Sequence, residues 1–284
     1  MTKTILITGY QGLIGRHLFE YYRERWDYVV GLGRGDNFQE VVEDLNIDYI
    51  IHCAGEIYNE FAMFNTNVEL TRQILEYVKA NPNVEMVNIS SSSVYGKVDH
   101  VTSESNMIIP QDIYSMTKGI GSLLSIGYGK KYNLKITDVR PYTIYGIGEK
   151  EHKLLPKLWR AFSYDEPMVI CDGMHDWTYI DDFVDGINKI LNKKDKPYGD
   201  IVNIGSGIQT SNFEIFEIYV NYFGYKPKSV ELKNDSFLRD RDTKIWQCDN
   251  RYSKEFYEIK YKYTIEEGIF TMLNKFKENY DQNT

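Results

Sequence analysis

Apolar residues in this chain gather into short runs separated by longer stretches with helical periodicity. Thr4-Ile-Leu-Ile-Thr8, Asp27 to Leu32, Tyr49 to Gly55, Val84 to Ile89 and Lys135 to Pro141 are such runs. Being continuous rather than alternating, they predict strands buried on both faces. Between them, helical patterns run from the glycines after Thr8 to about Arg25, from Phe38 to Leu45 and from Glu60 to Lys79. A further helix starts at Asp112, a good N-cap placed just beyond Pro110. Strand–helix alternation over this half predicts an α/β fold built on a doubly wound parallel (Rossmann-type) sheet. After Gly146 the character changes. Glu149 to Phe162 reads as a basic amphipathic helix, Pro167 to Cys171 as a short strand, and Thr264 to Lys277 as an amphipathic helix that packs on the rest.

Composition narrows the partners. The chain has 284 residues, 42% hydrophobic and 26% charged, enough for one large α/β domain or two intimately joined ones. A net charge of -8 argues against nucleic acid or an anionic membrane as partner, so any anionic ligand needs a local cluster of donors. The three cysteines, Cys53, Cys171 and Cys248, stand far apart and suggest neither a disulfide framework nor a metal site. No apolar stretch reaches membrane-spanning length, and Met1-Thr-Lys-Thr runs straight into a strand, so a cytoplasmic protein is expected.

Strand, glycine loop and helix follow one another at Thr4 to Arg25. The backbone of Gly9, Gly12, Leu13, Ile14 and Gly15 is thereby placed to receive a pyrophosphate at a helix N-terminus. At the end of the second run, Arg34 is available to accept the 2′-phosphate of NADP, while nearby Asp36 could bond the ribose hydroxyl of NAD. Ala54 and its small neighbours suit the floor beneath a cofactor. Val84 to Ile89 ends in four serines, which puts hydroxyls at a strand's carboxyl end, where open parallel sheets place ligands. Tyr114 and Lys118 are four apart and share a helix face, so the lysine can favour the phenolate and lower the tyrosine pKa. The spacing alone decides little, since Tyr222 and Lys226 repeat it without a serine strand before them.

The set Gly9/Gly12/Gly15, His52-Cys-Ala-Gly55, Ser-Ser-x-x-Val94-Tyr95-Gly96, Tyr114-x-x-x-Lys118, Arg140-Pro141 and Tyr145-Gly146, in this order, resembles the extended short-chain dehydrogenase/reductase family of nucleotide-sugar epimerases, dehydratases and reductases. The resemblance covers nearly the whole chain. It implies Tyr114 as acid/base, Lys118 on the nicotinamide ribose, and Ser91 on the substrate oxygen, with Ser92 the competing candidate. Asn67 matches the asparagine of the family's central helix. Tyr142, His152, His175 and Arg239 are implied as substrate contacts, His175 standing where an arginine is usual. A homodimer through a four-helix interface is implied too. By the same likeness, residues 1–146 form the dinucleotide-binding domain, with 174–195 returning to it. Residues 147–173 and 196–284 then form a smaller mixed α/β substrate-binding domain.

Departures from the pattern carry information. Only about forty residues separate Gly15 from Ala54, so one strand of the family's sheet is shortened or merged. Gly119, Gly121 and Gly127 each cost a helix about 1 kcal/mol relative to alanine and call for close packing in return. Ser92 and Ser93 stand where the family's dehydratases carry an acidic pair, which argues against dehydration. Relatives that epimerise beside the ketone pair a histidine with a cysteine at the place of Ser93, so His152 reads as a substrate hydrogen-bonder rather than a base. The expected activity is NADPH-dependent reduction of a nucleotide-diphosphate 4-keto (6-deoxy) sugar, with NAD also possible as cofactor. A 4-epimerase retaining NAD and a non-catalytic NADP-binding sensor are the alternatives.

Overall fold

The computed structural model describes residues 3–233 and 245–281. The chain opens with β1 (Thr4–Thr8), α1 (Leu13–Arg23), β2 (Tyr28–Leu32), the short α2 (Phe38–Val42) and β3 (Tyr49–His52). A long helical stretch follows, made of α3 (Glu60–Phe64), a π-helical turn (Asn65–Glu69) and α4 (Leu70–Ala80). Next come β4 (Glu85–Ile89), a 3-10 turn (Ser92–Tyr95), α5 (Ile113–Tyr132), β5 (Ile136–Pro141) and β6 (Thr143–Tyr145). The second half holds α6 (Leu154–Tyr164), β7 (Met168–Cys171), β8 (Met174–Tyr179), α7 (Ile180–Asn192), β9 (Asp200–Ile204) and β10 (Gln209–Ser211). It ends with α8 (Asn212–Phe223), β11 (Val230–Lys233), α9 (Arg251–Glu255) and α10 (Ile265–Asp281).

Six strands form one parallel sheet in the order β2-β1-β3-β4-β5-β9. Both faces are covered, which explains the continuous apolar runs. Ile5, Ile7, Ile51, Val87 and Ile89 point into one core with Leu18 of α1 and Phe183 and Ile187 of α7. The intervening Leu6, Ile50 and Met86 point into the other, with Ile74, Leu75 and Val78 of α4. The two smaller sheets are β10-β8-β6 and β11-β7.

Three expectations change. Residues 196–284 are expected in the substrate region, but β9 within them pairs with β5 from Thr137↔Asp200 to Pro141↔Ile204 and completes the main sheet. Its Val202 and Ile204 are wholly buried in the first core, and that burial fixes its place. The missing family strand is not merged. In the familiar doubly wound order a third strand flanks the second, whereas here no described strand lies outside β2. After β2 the chain passes through α2 and crosses to β3 on the other side of β1, leaving β2 as an open edge. Finally, α6 begins at Leu154 rather than Glu149, so His152 sits in the preceding turn. Pro156 has no N–H to give the carbonyl of residue 152, and a first-turn position is where that loss costs nothing.

Candidate active site

The cleft begins at the glycine loop. Gly9 has φ +65, and a Cβ there would lie 2.7 Å from the backbone of Ala54; one at Gly15 would lie 2.2 Å from the Gly9 carbonyl. No larger residue fits at either place. Gly12 is the N-cap of α1 and supplies no side chain to its first turn. The uncapped N–H groups there, at the end of an eleven-residue helix, suit a pyrophosphate. The residues therefore fit a dinucleotide, with Leu13 and Ile14 in that first turn. The far side of the loop is fixed as well: His17 shares a hydrogen bond of 2.8 Å with the carbonyl of Ile147, after β6.

Just past β2, where the sequence suggests the adenosine ribose, the Arg34 side chain is 87% exposed yet its guanidinium donates to Glu56 at 2.9 Å. The other oxygen of Glu56 accepts from the backbone N–H groups of Ile57, Tyr58 and Asn59 at 3.0, 3.0 and 3.2 Å. Those donors, led by Tyr58 N–H, and the nearby arginine hold the carboxyl below its ordinary pKa. Asp36 turns back and accepts from the Gly33 N–H at 2.7 Å. A carboxylate from position 36 is thereby drawn to the strand end, where residue 33 has no side chain of its own. Glu56 was not singled out in the sequence. Its one signal there is an acid directly after the small pair Ala54-Gly55.

Behind the cleft floor lies a fully satisfied polar chain. Thr71 donates its hydroxyl proton to the Asn67 carbonyl at 2.9 Å, so His52 Nε2 donates to Thr71, also at 2.9 Å. His52 Nδ1 then accepts from Thr8 at 2.7 Å, and Thr8 Oγ1 accepts from the Ala54 N–H at 3.1 Å. The histidine is thus the neutral Nε2–H tautomer, and burial, with the Lys118 charge a lesser cause, lowers its pKa to about 3. Asn67, in the π-helical turn, accepts from Glu56 N–H at 2.8 Å and donates to the Glu56 carbonyl at 2.9 Å and to Thr117 at 3.0 Å. One side chain thereby ties the cofactor floor to α5. The turn is what swings it inward, a common use of such bulges.

The candidate reacting groups lie just after β4 and on α5. Asp112 and Ser115 cap α5 reciprocally, with Ser115 N–H to Asp112 at 2.7 Å and Asp112 N–H to Ser115 Oγ at 3.0 Å. The cap fixes the start of the helix, and Tyr114 stands in its first turn, half-buried. One turn on, Lys118 is buried and its ammonium donates to the Ile89 carbonyl at 2.5 Å. Burial lowers its pKa to about 8, and the Asp138 charge is the leading influence against that fall. The same ammonium is 3.8 Å from where a Gly55 Cβ would be, so it borders the cofactor floor. Ser91 opens the 3-10 turn against which α5 packs; its Oγ bonds Ser93 Oγ at 2.8 Å and accepts the Ser93 N–H at 3.1 Å. Ser92 is buried.

The proposed substrate contacts scatter more widely. His152 Nε2 shares a 2.7 Å hydrogen bond with the Tyr58 hydroxyl, and Lys150 lies 4.5 Å over the Tyr58 ring. This contact joins the loop after β3 to the loop after β6. Tyr142 is buried with its hydroxyl bonded to Thr102. His175 lies on β8 opposite Thr210, edge-on to Trp177 at 5.6 Å. Arg239 lies outside the described residues. The glycines of α5 behave differently from one another. A Cβ at Gly121 would come within 2.7 Å of the Asn67 carbonyl and one at Gly119 within 3.1 Å of Ile108, whereas Gly127 has nothing within 4 Å. Among the described residues no cluster of metal-ligating side chains occurs and no helix is long and apolar enough to cross a membrane.

Comparison with known proteins agrees with this geometry. Residues 5–205 match the family described as "NAD dependent epimerase/dehydratase family". A UDP-glucuronate 4-epimerase of Thermodesulfobacterium geofontis is 26% identical over 97% of each chain. A dTDP-glucose 4,6-dehydratase of Bacillus anthracis, solved in complex with NAD, superposes with a TM-score of 0.87 at 22% identity over 98% of each chain. The UDP-glucuronic acid 4-epimerase of Bacillus cereus, solved with UDP-glucuronic acid and NAD, gives 0.86 at 23% identity over 98% of this chain and all of that one.

Proposed function

Because the chain belongs to the NAD dependent epimerase/dehydratase family, we propose that it is a nucleotide-sugar 4-epimerase that works with NAD. It is an NAD(P)-dependent enzyme of the extended short-chain dehydrogenase/reductase type, with nucleotide sugars as its substrate class. The observation that carries the narrower reading is the company of Ser91. The two residues after it are hydroxyl residues, one buried and one bonded back to Ser91. Neither can expel water or take a carbon-bound proton near neutral pH, so only reversible oxidation of an alcohol is left to the set. When bound, NAD supplies the hydride acceptor. Tyr114, as the phenolate that Lys118 favours, takes the proton from the C4 hydroxyl, holds it as the phenol and later returns one to the oxygen, and Ser91 holds that oxygen. The carboxylates of Glu56 and Asp36 at the ribose end favour a hydroxyl there over a phosphate, and the 4-epimerase of known structure was solved with NAD.

The NADPH-dependent reductase keeps one observation in its favour. The open edge at β2 leaves the adenosine end less enclosed, as an exchanging cofactor requires. Stoichiometry separates the two. With UDP-glucuronate and other ordinary nucleotide sugars, C4 epimers should interconvert with no net change in NAD. Consumption of one NADPH per alcohol formed from a nucleotide 4-keto-6-deoxy sugar, without any epimerisation, would replace the epimerase by the reductase.

We also propose that the protein is a homodimer through α3 and α5. Ile113, Met116, Ile120, Leu123 and Gly127 share one stripe of α5, with Leu123 58% exposed, and Phe61 on α3 is 98% exposed. A second copy packed on this stripe would give Gly127 the close neighbour it lacks within one chain. Sedimentation should find a dimer, and Leu123→Asp a monomer; a monomeric parent protein would rule the interface out.

A further inference from the structure

We propose that Glu56 sets the cofactor preference of this enzyme, holding Arg34 in an ion pair and so withholding it from the 2′-phosphate that would mark NADP. The position after β2 is where an arginine serves a 2′-phosphate and a carboxylate serves the ribose hydroxyls. Arg34 occupies that position, and read alone it points to NADP. The structure adds a second residue, from a different loop. Glu56 sits in the loop after β3 with one oxygen fixed by three consecutive backbone N–H groups and the other aimed at Arg34. Its backbone is held in turn by both polar ends of Asn67. The carboxylate is therefore pinned, and the long, exposed arginine is the partner free to adapt.

Charge decides the consequence. Arg34 carries one positive charge; Glu56 and Asp36 carry two negative charges around the same strand end. A phosphate dianion arriving there would meet a local surplus of negative charge and could recruit Arg34 only by breaking the pair. A ribose bearing two hydroxyls meets no such penalty, and Asp36, already bonded to the Gly33 N–H, keeps a second oxygen with which to accept from it. Glu56 is thus a specificity-determining residue that acts through Arg34. The inference rests on the cleft being a dinucleotide site and is independent of whether the reaction is epimerisation or reduction.

The test is a binding measurement with adenosine 5′-monophosphate and adenosine 2′,5′-bisphosphate as probes. The parent protein should bind the monophosphate at least as tightly. Glu56→Gln keeps a carbonyl oxygen for the three N–H groups and removes the charge. It should tighten the bisphosphate by about ten- to a hundred-fold, the range of one charge-assisted arginine–phosphate contact, and leave the monophosphate nearly unchanged. Adding Arg34→Ala to Glu56→Gln should abolish the gain. A melting temperature close to that of the parent shows that the loop is intact, and Glu56→Asp, which retains the charge, should show no gain if it folds. The proposal is overturned by a parent protein that prefers the bisphosphate, by folded Glu56→Gln without the gain, or by a gain that survives the loss of Arg34. Because these are binding readouts, failure to find epimerase activity would not touch them.

Discussion

Replacing Tyr114 with phenylalanine is expected to lower turnover by about 10²–10⁴, the usual share of general acid–base catalysis, while the fold and cofactor binding persist. The phenol leaves a half-buried site in the first turn of α5, and the capping box of Asp112 and Ser115 that starts the helix does not involve it. The cofactor floor does not involve it either, being tied to α5 through Asn67 and Thr117. Lys118 keeps its bond to Ile89 and its position beside Gly55. What is lost is the proposed carrier of the proton to and from the sugar oxygen, a role that the serine hydroxyls of Ser91 and Ser93 cannot take over near neutral pH. The decisive measurement is turnover alongside a cofactor titration and a melting curve. Near-parental turnover in a folded variant would remove Tyr114 from the chemistry. A loss of cofactor binding in parallel would instead make its role one of holding the cleft together.

The candidate residues of this site are legible in the sequence, and the reasons are local. Glycine spacing, an apolar run ending in serines, and a tyrosine one turn from a lysine are each written within a few residues. The parallel sheet followed in the same way, from continuous apolar runs whose neighbours prove to face opposite cores, as Ile5 and Leu6 do. What the sequence leaves undecided depends on partners distant along the chain. Arg34 alone reads as a phosphate clamp, and only the structure brings up Glu56, from beyond the next strand, to occupy it. Ile201 to Ile204 lies some sixty residues beyond its pairing partner in β5, and nothing in its composition says which sheet will bury it. The open edge is similar: a deficit of residues was visible, but whether a strand was shortened or wholly lost depended on the pairing of β2.

Arg140→Met should be the most destabilising single change among the residues discussed, by about 3–5 kcal/mol, because it strands a buried charge. The guanidinium is 2% exposed and donates to Asp138 at 3.2 Å, to Ser122 at 3.0 Å and to the Tyr95 hydroxyl at 3.0 Å. Asp138 is wholly buried and also accepts from Asn88 at 2.7 Å and Ser122 at 2.5 Å. Tyr95 passes the network on to Asn203 of β9 at 2.7 Å, so the cluster joins β4, β5, β9, α5 and the 3-10 turn capped by Ser91. Burial already raises the Asp138 pKa, with Arg140 the strongest of the groups that oppose it. Without the arginine the carboxyl would rise further. A group whose folded pKa lies above its unfolded one weakens the fold as pH climbs from the unfolded value, about 3.9, towards the folded one. The deficit of Arg140→Met should therefore be smallest near the acid end and grow towards neutrality. At neutral pH it should appear as a fall in melting temperature of roughly 10 °C. Making both partners neutral, in Arg140→Met with Asp138→Asn, should recover a large part of the loss by removing the stranded charge. Melting curves at acid and neutral pH for the parent, the single variant and the pair decide the matter. A single variant as stable as the parent, or a deficit that shrinks as pH rises, would show that the Arg140–Asp138 pair does not hold this corner of the sheet.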